Sequence, residues 1–251
     1  MIKKKFSISQ SKIESILEDK EAGIYLLNKS KNIHSFKLVF KLREVLNIKK
    51  VGFSGILDPL ATGLMILATG RATKLLDYWH QFPKVYQAHI LFGQRSNTYD
   101  LEGKIEINKE AQEFKKDKLE KILKRFLGKQ KQRAPIYSAK KIKGIKLHIL
   151  ARQGHKVILP QSNIEIYYLK IKKFKYPNLI LEIKCSAGTY IRRLANDLGE
   201  TLKTGALLIG LKRIAIGEYN IKDSLEFNKI NKSNLKKNYL NPQKIIKYLN
   251  Q

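Results

Sequence analysis

Residues 51–76 read VGFSGILDPLATGLMILATGRATKLL, and no other stretch limits the fold as tightly. GLMILATG (63–70) is an apolar run closed by glycine at both ends and reads as a short buried strand. In front of it, Gly52, Gly55 and Gly63 punctuate a loop whose single acid, Asp58, precedes Pro59. A proline disfavours helical geometry for the residue before it, so Asp58 belongs on extended or turn backbone. An Asp-Pro pair between glycines is commonly an Asx-turn or a turn-initiating device. It also fixes one carboxylate firmly in a chain with little negative charge to spare.

Fifty Lys and Arg against 21 Asp and Glu give a formal charge of +29. Such a field attracts polyanions, and nucleic acid is the commonest large one in a cell, although lysines also serve simply to solvate a surface. With 251 residues, 43% of them hydrophobic, the chain has material for one large domain, or for one domain and a small appendage. Global disorder is excluded. The single cysteine, Cys185, makes no intramolecular disulfide and no cysteine-based metal site, and its apolar surroundings in LILEIKCSAGTY favour buried packing over a reactive thiol. The five histidines show no paired metal-ligand spacing. No apolar run reaches the ~20 residues that span a bilayer, and no apolar signal core follows MIKKKFSISQ. A reducing, cytoplasmic setting is expected.

SFKLVFKLREVLNI (35–48) places Phe36, Val39, Phe40, Val45 and Leu46 at helical spacing, with Ser35 as N-cap. TKLLDYWH (73–80) reads as a helix, and VYQAHILFG (85–93) as a strand with Tyr86, Ala88, Ile90 and Phe92 on one face. KDKLEKILKRFLG (116–128) reads as an amphipathic helix stopped by Gly128. The next stretch, 129–148, holds seven Lys or Arg and no acid. IEIYYLKIKKFKY and NLILEIKCSAG suggest paired strands, TYIRRLANDLGETL (189–202) a helix, and LKRIAIGEY (211–219) a last strand. From about 228 onward there are six lysines and no acid, consistent with a tail or one short helix. The elements lack a strict βαβ rhythm, so an α/β (α+β) fold with a mixed sheet is expected.

The ordered combination is more specific than its parts. GFSGILDPLATGLMILATGRATKL resembles the catalytic motif of the tRNA pseudouridine-55 synthases, the TruB family. KVYQAHILFGQRSNTYDLEG, PIYSAKKIKGIKLHILARQG, CSAGTYIRRLANDLG and LKRIAIGEY continue the resemblance in the same order, over roughly residues 20–220. It implies a pseudouridine synthase fold, a mixed central sheet flanked by helices with the cleft across its middle. It also implies cofactor-free, metal-free isomerisation of a T-loop uridine of tRNA. The base must be extruded, lose its bond from N1 to the sugar, turn, and rejoin through C5. By this resemblance Asp58 is the essential catalyst, as nucleophile toward base or sugar or as a base at the ribose. Arg192, in GTYIR, is its charge partner, since a buried carboxylate otherwise resists ionisation. Without the resemblance, a solvated helix arginine is the commoner reading, as for Arg193. Tyr86 matches the tyrosine that stacks on the flipped base, and Tyr190 and Leu211 match pocket positions; for all three, core packing is the alternative. The basic stretch near 129–148 resembles the loop that grips the T arm, with Lys140, Lys141, Lys143 and Lys146 as phosphate contacts.

The chain departs from the family pattern at three places. Phe53 stands where a histidine is usual, a residue thought to fill the gap left by the flipped base. LLNKS (26–30) replaces Asp-Lys-Pro, leaving Asn28 and Ser30 in a turn. Only about 30 residues follow GEY, too few for the C-terminal RNA-binding (PUA) domain of many members. The expected arrangement is a catalytic domain over 1–227 and a short lysine-rich segment over 228–251. Nothing in the sequence demands a partner subunit, so a monomer is expected, with tRNA as partner and no membrane. The rivals are a non-catalytic RNA-binding or tRNA-folding module, a relative acting on another uridine or RNA, and a basic ribosome-associated protein.

Overall fold

The apolar run after the Asp58 loop is a nine-residue strand, Ala61–Thr69, in which every residue but Thr62 is buried. Burial on both faces is what a run without polar alternation requires. The computed structural model describes residues 9–138, 140–142, 144–153 and 158–249. The chain divides into two compact units, one comprising the residues up to Phe82 together with those from Lys212 onward, the other running from Pro83 to Leu211.

In the first unit, Ala61–Thr69 pairs antiparallel with Gly23–Lys29, from Gly23 opposite Thr69 to Lys29 opposite Gly63. Gly23–Lys29 in turn pairs parallel with Leu225–Glu226 and antiparallel with Tyr239–Leu240, so the sheet is mixed. Val51–Ser54 and the C-terminal part of the strand Ala206–Ile216 also lie on Ala61–Thr69. Asn28 is therefore a strand residue, opposite Leu64, and not part of a turn. The core of this unit gathers Ile24, Leu26, Leu64, Ile66, Trp79 and Ile216 with Ile13 and Ile16 of the helix Gln10–Leu17. Ile245 and Ile246, on the helix Pro242–Leu249, complete it. The lysine-rich C-terminal residues thus form two helices, Lys232–Lys237 and Pro242–Leu249, and a strand, and they contribute to the core. The expected 73–80 helix is a 3-10 turn, Gly70–Leu75, followed by one helical turn, Leu76–His80.

The helix Phe36–Leu46 forms where expected but turns a different face inward. Leu38, Val39 and Leu42 are buried, Val45 and Leu46 half-buried, and Phe36 and Phe40 are 55% and 60% exposed. Apolar residues ring this helix, so two stripes at helical spacing compete, and the leucine stripe wins the interior. Leaving a phenylalanine in water forgoes roughly 1.5–3 kcal/mol of burial.

In the second unit the strand order is the N-terminal part of Ala206–Ile216, then Lys84–Phe92, Asn178–Cys185, Gln161–Lys175 and Gly128–Arg133. The last four are antiparallel neighbours. Lys84–Phe92 alternates as its sequence implies, with Tyr86, Ala88, Ile90 and Phe92 inward. The helix Ile191–Leu202 buries Ile191, Leu194, Ala195, Leu198 and Leu202. The helix Lys116–Lys124 ends before Gly128, which instead opens a strand. The basic residues Lys129, Lys131 and Arg133 are thus on an edge strand of the sheet and not in a loop; lysine on an edge discourages further strand pairing.

Gly63 is the tightest point of the first unit. Its φ is +113°, and a Cβ there would lie 2.3 Å from the main-chain oxygen of Arg213 and 2.6 Å from its nitrogen. Neither contact is relieved by a rotamer change. Gly63→Ala is expected to lower stability by more than about 2 kcal/mol, read as a fall in denaturant midpoint at unchanged slope.

Candidate active site

Asp58 is half-buried on the loop between Val51–Ser54 and Ala61–Thr69. Other parts of the chain supply hydrogen-bond partners to its main chain. Ser35, 2% exposed, uses one hydroxyl twice: it donates to the Leu57 carbonyl (2.9 Å) and accepts from the Leu57 N–H (3.0 Å). The Pro59 carbonyl accepts from the Lys29 ammonium (3.2 Å) and from the Asn32 N–H (2.8 Å). Arg213 donates through Nη2 to the Gly55 carbonyl (3.0 Å) and through Nε to the Leu64 carbonyl (2.7 Å). The Ala61 N–H donates to the Asp58 carbonyl (3.0 Å), closing a turn with Pro59 at its second position. Gly55, at φ +73°, supplies the left-handed step that leads in.

Three of these holding groups went unrecognised in the sequence. Lys29 is fully buried and also donates to the carbonyls of Ser30 (3.0 Å) and Ile33 (2.7 Å). Arg213 is 1% exposed. One signal was available for it: in a strand, Lys212 and Arg213 cannot both face water. Ser35 precedes the helix as read, yet its side chain makes no cap bond, because the hydroxyl is committed 22 residues away. Phe53 lies on Val51–Ser54 and meets the Phe36 ring edge-on, centroids 5.2 Å apart at 80°.

In the second unit Arg192 is 7% exposed, far from a solvated helix arginine. Its Nη1 donates to the Thr98 carbonyl (3.2 Å), its Nη2 to the Tyr137 carbonyl (2.8 Å), and Nη1 lies 3.8 Å from the buried Asp100 carboxylate. Asp100 is oriented by the Thr98 hydroxyl (2.6 Å) and the Glu102 N–H (3.0 Å). The cluster thus gives the Arg192 guanidinium two carbonyl acceptors and a carboxylate neighbour. Tyr190, half-buried at the start of the same helix, is clasped by Gln132: its N–H donates to Oε1 (2.8 Å) and its carbonyl accepts from Nε2 (3.1 Å). Arg193 is also not simply solvated, being paired with Asp197 at 2.8 Å and lying over the Tyr99 ring. Tyr86 is 9% exposed, opposite Ile183 in the sheet, and Leu211 is half-buried. Lys140 is half-buried and hydrogen-bonded to the Ser162 hydroxyl, so its ammonium is not simply a free phosphate contact. Lys141 and Lys146 pair through their main chains in a two-stranded hairpin, and Lys143 lies outside the described residues. Among the described residues no cluster of His, Cys, Asp and Glu is fit to hold a metal, and no helix is long and apolar enough to cross a membrane.

Burial pushes the Cys185 thiol up to about 12, in keeping with a packing role. At pH 8 its thiolate fraction is about 10⁻⁴, so a disulfide reagent is expected to label it only on unfolding. The unfolded thiol ionises near ~8.5 and the folded one near 12, so its contribution to stability is complete below ~8.5 and fades as pH climbs toward 12. Ser35→Ala leaves both polar groups of Leu57 without their partner and is expected to cost about 1–3 kcal/mol, with faster hydrogen exchange at the Leu57 amide.

Residues 43–191 match the family model described as TruB family pseudouridylate synthase (N terminal domain). A protein of Fusobacterium nucleatum named tRNA pseudouridine synthase B is 44% identical over 200 residues, covering 80% of this chain and 69% of the relative. One of the same name from Clostridium kluyveri is 39% identical over 227 residues, covering 90% and 75%. Among solved structures, a Cbf5-Nop10-Gar1 complex (TM-score 0.64, 22% identity) and an H/ACA RNP bound to a substrate RNA containing 2′-deoxyuridine (0.62, 21%) share the fold. Each is matched over 86% of this chain, which spans about half the length of either matched chain. The family-model match, which takes in the Asp58 loop and ends at Ile191, and the identity to these relatives over most of the chain make it a member of the TruB family of pseudouridylate synthases.

Proposed function

We propose that this protein converts a uridine in the T loop of tRNA, the one at position 55, to pseudouridine, with Asp58 as the catalytic carboxylate. Isomerisation of uridine in tRNA is the activity its named relatives share. The observation that carries the assignment of Asp58 is the fixing of its loop: Gly55, Leu57, Asp58 and Pro59 all have main-chain groups held by hydrogen bonds. Immobility of this kind is what a reacting group needs, because its orientation is settled before substrate arrives.

Arg192 serves the same reaction by balancing the carboxylate's charge, Tyr86 as the aromatic face for the extruded base, and Tyr190 and Leu211 as walls of its pocket. Arg192 and Tyr190 are held by neighbours that fit such duties, the carbonyls of Thr98 and Tyr137 and the amide of Gln132. Phosphates of the T arm are neutralised by the basic surface, with Lys141 among the contacts, and this supplies affinity without sequence discrimination.

The test is an unmodified tRNA transcript and a T-arm minihelix incubated with purified protein, pseudouridine being mapped by chemical labelling. One modified position in the T loop of both substrates is expected. Asp58→Asn is expected to lose about 10³-fold or more in rate while retaining tRNA affinity. Product elsewhere in the tRNA, or full activity in Asp58→Asn, overturns the assignment.

A further inference from the structure

Phe36 and Phe40 occupy successive turns of one helix face, four residues apart, and both rings stand in water. Single exposed hydrophobics are ordinary on protein surfaces. Here three aromatic rings and a cation come together: Phe53 meets Phe36 edge-on at 5.2 Å, and the Arg43 guanidinium lies 6.0 Å from the centre of the Phe40 ring. Ile56, also exposed, follows Phe53 on the way to Asp58. Lys37 and Arg43 are exposed on the same helix, and residues 35–50 carry five Lys or Arg against one acid. The surface continues directly into the Asp58 loop, since Ser35, which immediately precedes Phe36, is the residue that clasps Leu57.

We propose that Phe36 and Phe40, buttressed by Phe53 and flanked by Arg43, form a stacking platform for unpaired bases of the RNA whose uridine is modified. This rests on the reading that RNA is the substrate. Flat apolar rings bordered by cations are what single-stranded nucleic acid uses: bases stack on the rings, phosphates meet the charges, and sequence matters little. Charge selects this occupant over a second copy of the chain, because a patch flanked by Lys37 and Arg43 attracts phosphates and repels a chain that is itself at +29. Phe36 and Phe40 are positioning and affinity residues and take no part in bond making.

The stacking term is separable from the electrostatic one. Phe36→Ala/Phe40→Ala is compared with wild type and with Phe36→Trp/Phe40→Trp, using the T-arm minihelix and a hairpin-free single-stranded RNA oligonucleotide. Both rings are exposed, so thermal stability is expected to change little. Affinity for both RNAs is expected to fall about 5- to 150-fold in the alanine variant, with the slope of log K against log salt unchanged, and to recover in the tryptophan variant. Lys37→Gln/Arg43→Gln is expected to flatten that slope by about 0.7 per charge. Less than twofold loss on both RNAs overturns the platform, as does a concentration-dependent dimer that the alanine variant abolishes. If wild type makes no pseudouridine yet the alanine variant loses oligonucleotide affinity, the functional reading fails and the platform stands.

Discussion

Peptide groups of a loop withdrawn from water need hydrogen-bond partners, and elements outside the loop can supply them. Around Asp58 this is accomplished by Ser35, Lys29 and Arg213, from three separate stretches of chain. Two of the three are cations donating to carbonyls. A buried ammonium or guanidinium without acceptors is heavily disfavoured, so the attraction works in both directions: the loop needs donors and the cations need the loop. The result is a loop whose shape is imposed by its surroundings.

The second unit repeats the principle with different groups. Gln132 holds both main-chain polar groups of Tyr190 as Ser35 holds those of Leu57. Arg192 sits in a nest of two carbonyls and one carboxylate. Removing Asp100 from such a cluster costs more than the pair contributes, because the remaining charge is left buried. Helix Ile191–Leu202 therefore begins at a point fixed from two sides, and Tyr190 and Arg192 take their orientation from it.

How much of this could be read from sequence follows from the range of the interactions involved. Local patterns were legible: the buried strand after Asp58, the one-face alternation around Tyr86, the pairing of IEIYYLKIKKFKY with NLILEIKCSAG, and the position of Asp58 on turn backbone. The helix at 36–46 was legible in extent but not in face, because phenylalanine and leucine stripes carry nearly equal apolar weight and only the neighbouring elements choose between them. The strand Gly128–Arg133 was hidden by its charge, since lysines on an edge imitate a solvated loop. Lys29 and Arg213 were hidden by distance: the carbonyls that accept from them at Pro59 and Gly55 lie 30 and 158 residues away in the chain. Periodicity alone assigns Arg192 to solvent, and its burial reflects acceptors at Thr98 and Tyr137 that lie far away in the chain.

The close approach at Gly63 links two positions that look unrelated. Arg213 presses its main chain onto the bare Cα of Gly63 while its side chain reaches the Gly55 carbonyl. A larger residue at 63 displaces the strand bearing Arg213 and so withdraws the guanidinium from the loop as well. Substitutions at the two sites should therefore be non-additive, with an interaction of roughly 0.5–3 kcal/mol.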